Sequence, residues 1–366
     1  MGLKITSITL QGFRAFHRLE TSGMGRVNLI TGKNNTGKSS LLEALRLLAS
    51  NGSPSVIRSI LNQREEFPDK RDDKEVLVED AEKLFLTISS LFHRFPQLSG
   101  HPAPIGFETG GDRSMKLTLS LNWRTMRQES LLDLDEDDLA LVADIGGKHP
   151  STVMKLDEFH YGYNRLRHLR PDLNGQASLP CIYVSPYGGE GTASLGRLWD
   201  QVALSDQEQY VVQALQIIDP QISRVSMVAD NNWRGSRTAI VRANNIPRPV
   251  PLRSFGDGMN RLFGIILSLV NAGGGLLLID EFENGLHHTV QYDTWRIIFK
   301  LAQTMDIQVF ATSHSRDAIE AFQKAAADTP EYGALIRLTR HEDDIIPTVF
   351  MEEELAVATR DRIEMR

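Results

Sequence analysis

The sequence predicts an α/β fold built on a sheet with covering helices, and three observations carry that prediction. Residues 32–39 read Gly-Lys-Asn-Asn-Thr-Gly-Lys-Ser, a complete G-x-x-x-x-G-K-S phosphate loop. From residue 254 onward the pattern runs loop, helix, strand, loop, helix, strand, the order of a parallel sheet with covering helices. Within that run an apolar segment, Leu276–Ile279, passes directly into Asp280-Glu281.

In chain order, residues 5–10 alternate apolar and polar as a strand does. Residues 26–30 are β-prone. Residues 39–48 are helix-prone, with Leu41, Leu42, Ala44, Leu45 and Leu48 on one broad apolar face. A strand feeding a glycine turn and then a helix start makes an anion cradle. Backbone N–H groups and the positive end of the helix dipole point at the bound phosphates. Gly32, Asn34, Asn35, Thr36, Gly37, Lys38, Ser39 and Ser40 are therefore the candidate nucleotide-binding residues, for ATP or GTP. Lys38 is expected to reach the β- and γ-phosphates, and the Ser39 hydroxyl to ligate Mg²⁺.

Residues 50–104 change character. A dense mixture of both charges over 64–82 leads into an apolar-periodic stretch, 81–95, with Leu84, Phe85, Ile88, Leu91 and Phe92. A charged loop and then an amphipathic helix are expected there. Residues 115–122 alternate strictly and predict a strand. The acidic stretch 125–145 is expected to be a loop or short helix. Residues 180–186 form a short apolar strand stopped by Pro186. Residues 193–218 are helical in period and end at Pro220, and 222–252 predict two or three short strands.

The bulk numbers exclude several classes. Hydrophobic content of 41% and charged content of 24% are those of a globular chain, not a disordered one. A net charge of −7 argues against a simple polycation that coats nucleic acid. One cysteine, Cys181, allows no disulfide framework and no thiolate metal site. No secretory pattern opens the chain, and the most apolar stretch, 264–279, is too short for a membrane span. A cytoplasmic location with no membrane partner is expected.

Three later segments narrow the nucleotide class. Leu276–Ile279 with Asp280-Glu281 is a Walker B pattern, in which a buried strand delivers Asp280 beside the phosphate loop. Asp280 is expected to hold Mg²⁺ through water, and Glu281 to polarise the attacking water. Residues 308–315, Gln-Val-Phe-Ala-Thr-Ser-His-Ser, are a second apolar strand with a polar end, which places His314 to sense the γ-phosphate. Residues 254–258, Ser-Phe-Gly-Asp-Gly, precede an apolar helix and form a second phosphate cradle through Ser254, Gly256 and Gly258. The expected partner of that cradle is a nucleotide on another subunit.

This motif order resembles the P-loop NTPases of the ABC-type ATPase-head class. Within that class the chain is similar to the OLD (overcoming lysogenisation defect) and RecF/SMC branch. Ile8-Thr9-Leu10-Gln11-Gly12-Phe13-Arg14-Ala15-Phe16 resembles the branch's opening strand and Phe-Arg turn, which adds Arg14 to the expected nucleotide contacts. Glu283-Asn284-Gly285-Leu286-His287-His288 resembles its segment after Walker B, and Thr312-Ser313-His314-Ser315 its Thr-Thr-His-Ser.

The resemblance implies a mixed sheet with flanking helices and an inserted lobe. Residues 1–49 and 180–366 would form the ATPase core, and 50–179 the insertion. It also implies ATP and Mg²⁺ as cofactors and a head-to-tail dimer or higher homo-oligomer. The chain departs from the pattern in three ways. It has no Leu-Ser-Gly-Gly-Gln and no Q-loop glutamine, for which Ser185-Pro186 is the substitute candidate. No heptad arms are present. Only 52 residues follow His314, too few for the TOPRIM nuclease domain of full-length OLD proteins. By resemblance, the expected role is a sensor in bacterial antiphage defence that acts on a separate effector, often a nuclease. Two alternatives stand beside it. One is a RecF-type DNA-repair ATPase that grips duplex DNA through Arg165, Arg167, Arg170, Arg234 and Arg237. The other is a scaffold that holds ATP with little turnover.

Overall fold

The computed structural model describes residues 2–66, 85–96, 102–112, 114–125, 137–146, 151–155, 178–186, 192–229, 237–329, 333–351 and 354. At its centre is a six-stranded sheet in the order β15-β14-β3-β13-β12-β8. These strands are β3 (Val27–Thr31), β8 (Cys181–Val184), β12 (Leu276–Ile279), β13 (Gln308–Thr312), β14 (Gly333–His341) and β15 (Asp344–Phe350). All neighbours are parallel except β14 and β15, a hairpin that turns at residues 341–344.

Every residue of β3, β12 and β13 is buried. Continuous apolar runs of this kind mark strands covered on both faces. Successive side chains point to opposite faces, and they enter two different cores. Leu277 and Ile279 pack into a core with α4 (Gln207–Ile218), α5 (Asp257–Asn271), α6 (His288–Thr304) and α7 (Arg316–Ala327). Leu276 and Leu278 pack into a core with α1 (Lys38–Ala49) and a second sheet.

That second sheet is antiparallel, in the order β2-β1-β4-β5-β6-β7. It joins β1 (Ser7–Phe13) and β2 (Phe16–Ser22) to β4 (Ile105–Gly110), β5 (Met115–Thr125), β6 (Asp137–Asp144) and β7 (Ser151–Lys155). The link is the β1–β4 pairing, from Ser7↔Gly110 to Gln11↔Gly106, so β4 to β7 extend the sheet that the N-terminal hairpin begins. α2 (Pro54–Gln63) follows α1. A small third sheet, β11-β10-β9, is built from β9 (Ile222–Ala229), β10 (Arg237–Ala243) and β11 (Val250–Pro251). α3 (Thr192–Val202) precedes α4. Buried polar side chains tie the ends of the sheet together. Gln308 accepts from Ile5 N at 2.8 Å and donates to the Ile5 and Gly25 carbonyls at 2.7 and 2.8 Å.

Several expectations are corrected. The acidic stretch expected to be a loop or short helix contains β6, which pairs antiparallel with β5 from Asp144↔Thr118 to Asp137↔Thr125. The helical run 193–218 is two helices, interrupted at 203–206, where Leu204 has φ 63. The apolar face expected over 81–95 is helical at 85–89, and its Phe85, Ile88, Leu91 and Phe92 are buried in the core with Phe13 and Phe107. Of the arginines expected to form a DNA-gripping face, Arg237 is engaged elsewhere. It pairs with Asp200 at 2.6 Å and donates to the Gly196 and Met227 carbonyls. Arg165, Arg167, Arg170 and Arg234 lie outside the described residues, as does most of the charged stretch 64–82. No helix among the described residues is long and apolar enough to cross a membrane.

Candidate nucleotide site

The phosphate loop leaves β3 and enters α1 at Lys38. Two of its glycines are required by close approach and by backbone conformation. Gly32 has φ 145, and a Cβ there would lie 2.5 Å from the Leu338 carbonyl oxygen. Gly37 has φ 82, and a Cβ there would lie 2.7 Å from the Phe16 ring. Side chains other than glycine are strained in this region of backbone space. Thr36 Oγ1 donates to the Lys33 carbonyl at 2.8 Å, and Arg340 donates to the Asn35 carbonyl at 3.0 Å. Lys38 folds back across the loop, its Nζ donating to the Gly32 and Lys33 carbonyls at 2.7 and 2.9 Å. Burial draws the Lys38 ammonium below the ordinary lysine range, against the opposing pull of Asp280, Glu283 and Glu281.

The parallel register brings the ends of β3, β12 and β13 side by side. Asp280, one residue past β12, is buried. Its Oδ1 accepts from Thr312 Oγ1 at 2.6 Å and from Ser39 Oγ at 3.2 Å, and its Oδ2 from the Tyr183 hydroxyl at 3.1 Å. Glu281 follows with φ 47. Its N–H donates to Thr312 Oγ1 at 2.8 Å, and its Oε2 accepts from Asn284 Nδ2. Beneath these residues lies Arg261 of α5, only 4% exposed. It donates to the carbonyls of Ser185 at 2.6 Å, Asp280 at 3.1 Å and Glu281 at 3.4 Å. Burial pulls the Arg261 pKa down, and Asp280 leads the opposing charges.

Glu283 organises the loop after β13. Its Oε1 accepts the backbone N–H groups of His314 at 2.9 Å and Ser315 at 3.1 Å, and lies 3.0 Å from His314 Nδ1. His314 is half exposed. Ser315 caps α7, its side chain accepting from Ala318 N at 3.4 Å. The second cradle straddles two elements. Ser254 sits in a single 3₁₀ turn, Leu252–Phe255; Gly256, with φ 103, is the N-cap of α5; and Gly258 lies in its first turn. Ser254 and Gly256 are exposed. Gly258 packs on the segment after Walker B, where a Cβ would lie 2.9 Å from the Gly285 carbonyl oxygen.

The fold thus gathers Lys38, Ser39, Asp280, Glu281 and His314 from three strand ends, and sets Gly258 against Gly285, with Ser254 and Gly256 exposed beside it. Arg14, expected at the nucleotide, has a side chain 5% exposed that pairs with Glu43 at 2.6 Å and Glu66 at 2.8 Å. Its guanidinium thereby compensates a buried carboxylate. Burial pushes the Glu43 carboxyl up, against Arg14 and Arg64. Ser185-Pro186 contributes backbone rather than side chain, since the two carbonyls accept from Arg261 and Asn284. Sequence reasoning passed over Thr312, Tyr183, Glu283 and Arg261. For Thr312 a signal existed, because a hydroxyl ending a buried strand needs a partner. For Tyr183 none did, since an aromatic residue in a short apolar strand reads as core.

Comparison with known proteins adds the class. Residues 3–140 match a family described as "AAA ATPase domain", and residues 196–319 one described as "AAA domain, putative AbiEii toxin, Type IV TA system". A Helicobacter pylori (strain ATCC 700392 / 26695) protein named ATP/GTP phosphatase is 23% identical over 385 residues, covering 96% of each chain. Two solved structures share the fold at 10% identity. One is an Smc head domain with an extended coiled coil bound to the C-terminal domain of ScpA, derived from Pyrococcus furiosus, with TM-score 0.51 and 100% of both chains covered. The other is an SmcHead bound to the C-winged helix domain of ScpA, with TM-score 0.50 and coverage of 96% of this chain and 99% of that one. The two matched ATPase-domain families and the assembled phosphate loop make this chain an ATPase, and its fold is shared with Smc head domains.

Proposed function

We propose that the chain is an ATP-driven switch that closes as a head-to-tail dimer and passes its nucleotide state to a separate effector protein. One observation carries the reading. Ser39 Oγ and Thr312 Oγ1 both reach Asp280 Oδ1, at 3.2 and 2.6 Å, beside a lysine drawn back across an otherwise anion-ready loop. Residues from three distant parts of the chain thereby form one phosphate-binding corner.

The division of labour follows from the chemistry. The loop N–H groups and Lys38 bind the phosphates. Ser39 and Asp280 supply hard oxygen donors of the kind Mg²⁺ takes, and that ion, once bound, neutralises charge on the β- and γ-phosphates. Among the described residues no larger cluster of metal-ligating side chains occurs, which suits an ion held largely by phosphate and water. Glu281 acts as the base that orients the attacking water. His314, fixed through Nδ1 by Glu283, keeps its other ring nitrogen for the γ-phosphate. The cap of Ser254, Gly256 and Gly258, exposed at its first two residues, serves the nucleotide of the partner copy. Residues 1–49 and 180–366 act as the ATPase core, and 50–179 as the lobe that reports its state. The apolar face at 85–92 is already buried, so the effector would meet other surfaces of that lobe. The placement in antiphage defence rests on the OLD-like opening turn, the Glu283–His288 segment and the Thr-Ser-His-Ser end.

Lys38→Ala tests the site. Calorimetry should show ATP binding lost, because a charge-assisted contact to the phosphates is removed. Undiminished affinity in this variant would refute the assignment.

A further inference from the structure

We propose that Tyr183 is a positioning residue that fixes the orientation of Asp280 and is itself held by Arg46. The inference rests on the reading of Asp280 as the metal-side carboxylate. Tyr183 is the third residue of β8, which runs parallel to β12 with Tyr183 opposite Leu278. That register sets its ring beside the strand that ends in Asp280, and its hydroxyl donates to Asp280 Oδ2 at 3.1 Å. Thr312 and Ser39 reach only Oδ1. A carboxylate turns about its bond to Cβ, and donors on one oxygen leave the other free to swing. A donor on each oxygen sets the plane of the group, as outer-shell partners do for metal-ligating side chains.

The phenol is in turn braced. The Arg46 guanidinium of α1 lies 4.2 Å from the Tyr183 ring centroid, a cation–π contact. Arg46 Nη1 donates to Gln63 Oε1 at 2.7 Å and Nη2 to Ser59 Oγ at 3.0 Å, both on α2. Rotation of Tyr183 away from Asp280 would therefore give up its contact with an arginine that two hydrogen bonds to α2 hold in place. β8 thus reaches Asp280 through Tyr183, while Ser185 and Pro186 just beyond it offer carbonyls to Arg261 and Asn284.

Tyr183→Phe keeps the ring and removes only the donor. The probe is Mn²⁺ with ADP, followed by electron paramagnetic resonance of free Mn²⁺, alongside calorimetry of ADP without metal. Mn²⁺ uptake should weaken by about 10-fold, with metal-free ADP affinity and the thermal midpoint unchanged. Arg46→Met, which keeps the stem and loses the cation, should weaken Mn²⁺ uptake in the same direction by less. Equal Mn²⁺ uptake by Tyr183→Phe and wild type would overturn this inference and leave the nucleotide site standing. An equal loss of metal-free ADP affinity would also overturn it, because a general structural defect would then explain the change. Wild-type protein that takes up no Mn²⁺ with ADP would overturn the reading of the site, and this inference with it.

Discussion

Glu281 has the least comfortable backbone among the residues proposed for chemistry. Its φ of 47 places a non-glycine residue in the left-handed region, at a cost of about 1 kcal/mol or more. The strain is sustained because its N–H is held by Thr312 on the neighbouring strand and its side chain by Asn284. The first contact fixes the backbone as it leaves β12, and the second holds the carboxylate against the segment that follows. Glu281→Gln keeps the size of the side chain and removes its charge. ATP binding should persist while steady-state turnover falls by roughly 10²-fold or more. Hydrolysis at the wild-type rate in this variant would remove Glu281 from the catalytic role.

Among the elements, the junction of the β1–β2 turn, α1 and the end of α2 depends on one buried charge network. Arg14, at φ 48 in the turn, pairs with Glu43 of α1 and with Glu66. Arg64, just after α2, reaches Glu43 at 2.6 Å and Ser40 Oγ at 3.3 Å. Removing Arg14 leaves Glu43, only 8% exposed, short of one of its two compensating charges. Arg14→Met should therefore lower unfolding stability by about 3 kcal/mol, read as a shift in the denaturant midpoint, with ATP affinity close to wild type. A stable variant with weakened ATP binding would return Arg14 to the nucleotide site.

At the scale of the molecule, the proposed cycle needs two copies. The second cradle is exposed at the start of α5, and its helix is tied through Arg261 to the backbone of Asp280 and Glu281. A change at the cradle of one copy is thus mechanically adjacent to its own Walker B end. Ser254→Arg should block closure by bulk and charge, leaving ATP affinity of the single subunit nearly intact while ATPase activity is lost. Mixed with Lys38→Ala protein, it should recover part of that activity. One composite site then combines an intact phosphate loop from the first variant with an intact cap from the second. An unaltered ATPase rate for Ser254→Arg alone would exclude the head-to-tail arrangement.

The parts of the site that depend on local order were legible in the chain before any fold was known. The phosphate loop, the apolar run into Asp280-Glu281 and the strand ending in Thr312-Ser313-His314-Ser315 each carry their geometry in consecutive residues. A glycine turn between strand and helix, or a buried strand with a polar end, has few other conformations open to it. The α/β order from residue 254 was legible for the same reason. Contacts across the sheet were not. Nothing near Arg14 in sequence announces Glu43 and Glu66, and nothing near Tyr183 announces Asp280, 97 positions away. The break at 203–206 and the strand at 137–144 also escaped local reading, because pairing with β5 and packing of two helices outweighed the local pattern. Local order alone thus specifies a phosphate cradle with a carboxylate strand beside it. Which side chains orient that carboxylate, and which charges are spent in the core, emerges with the fold, since hydrogen bonds and ion pairs between distant segments exist only once the sheet has set their register.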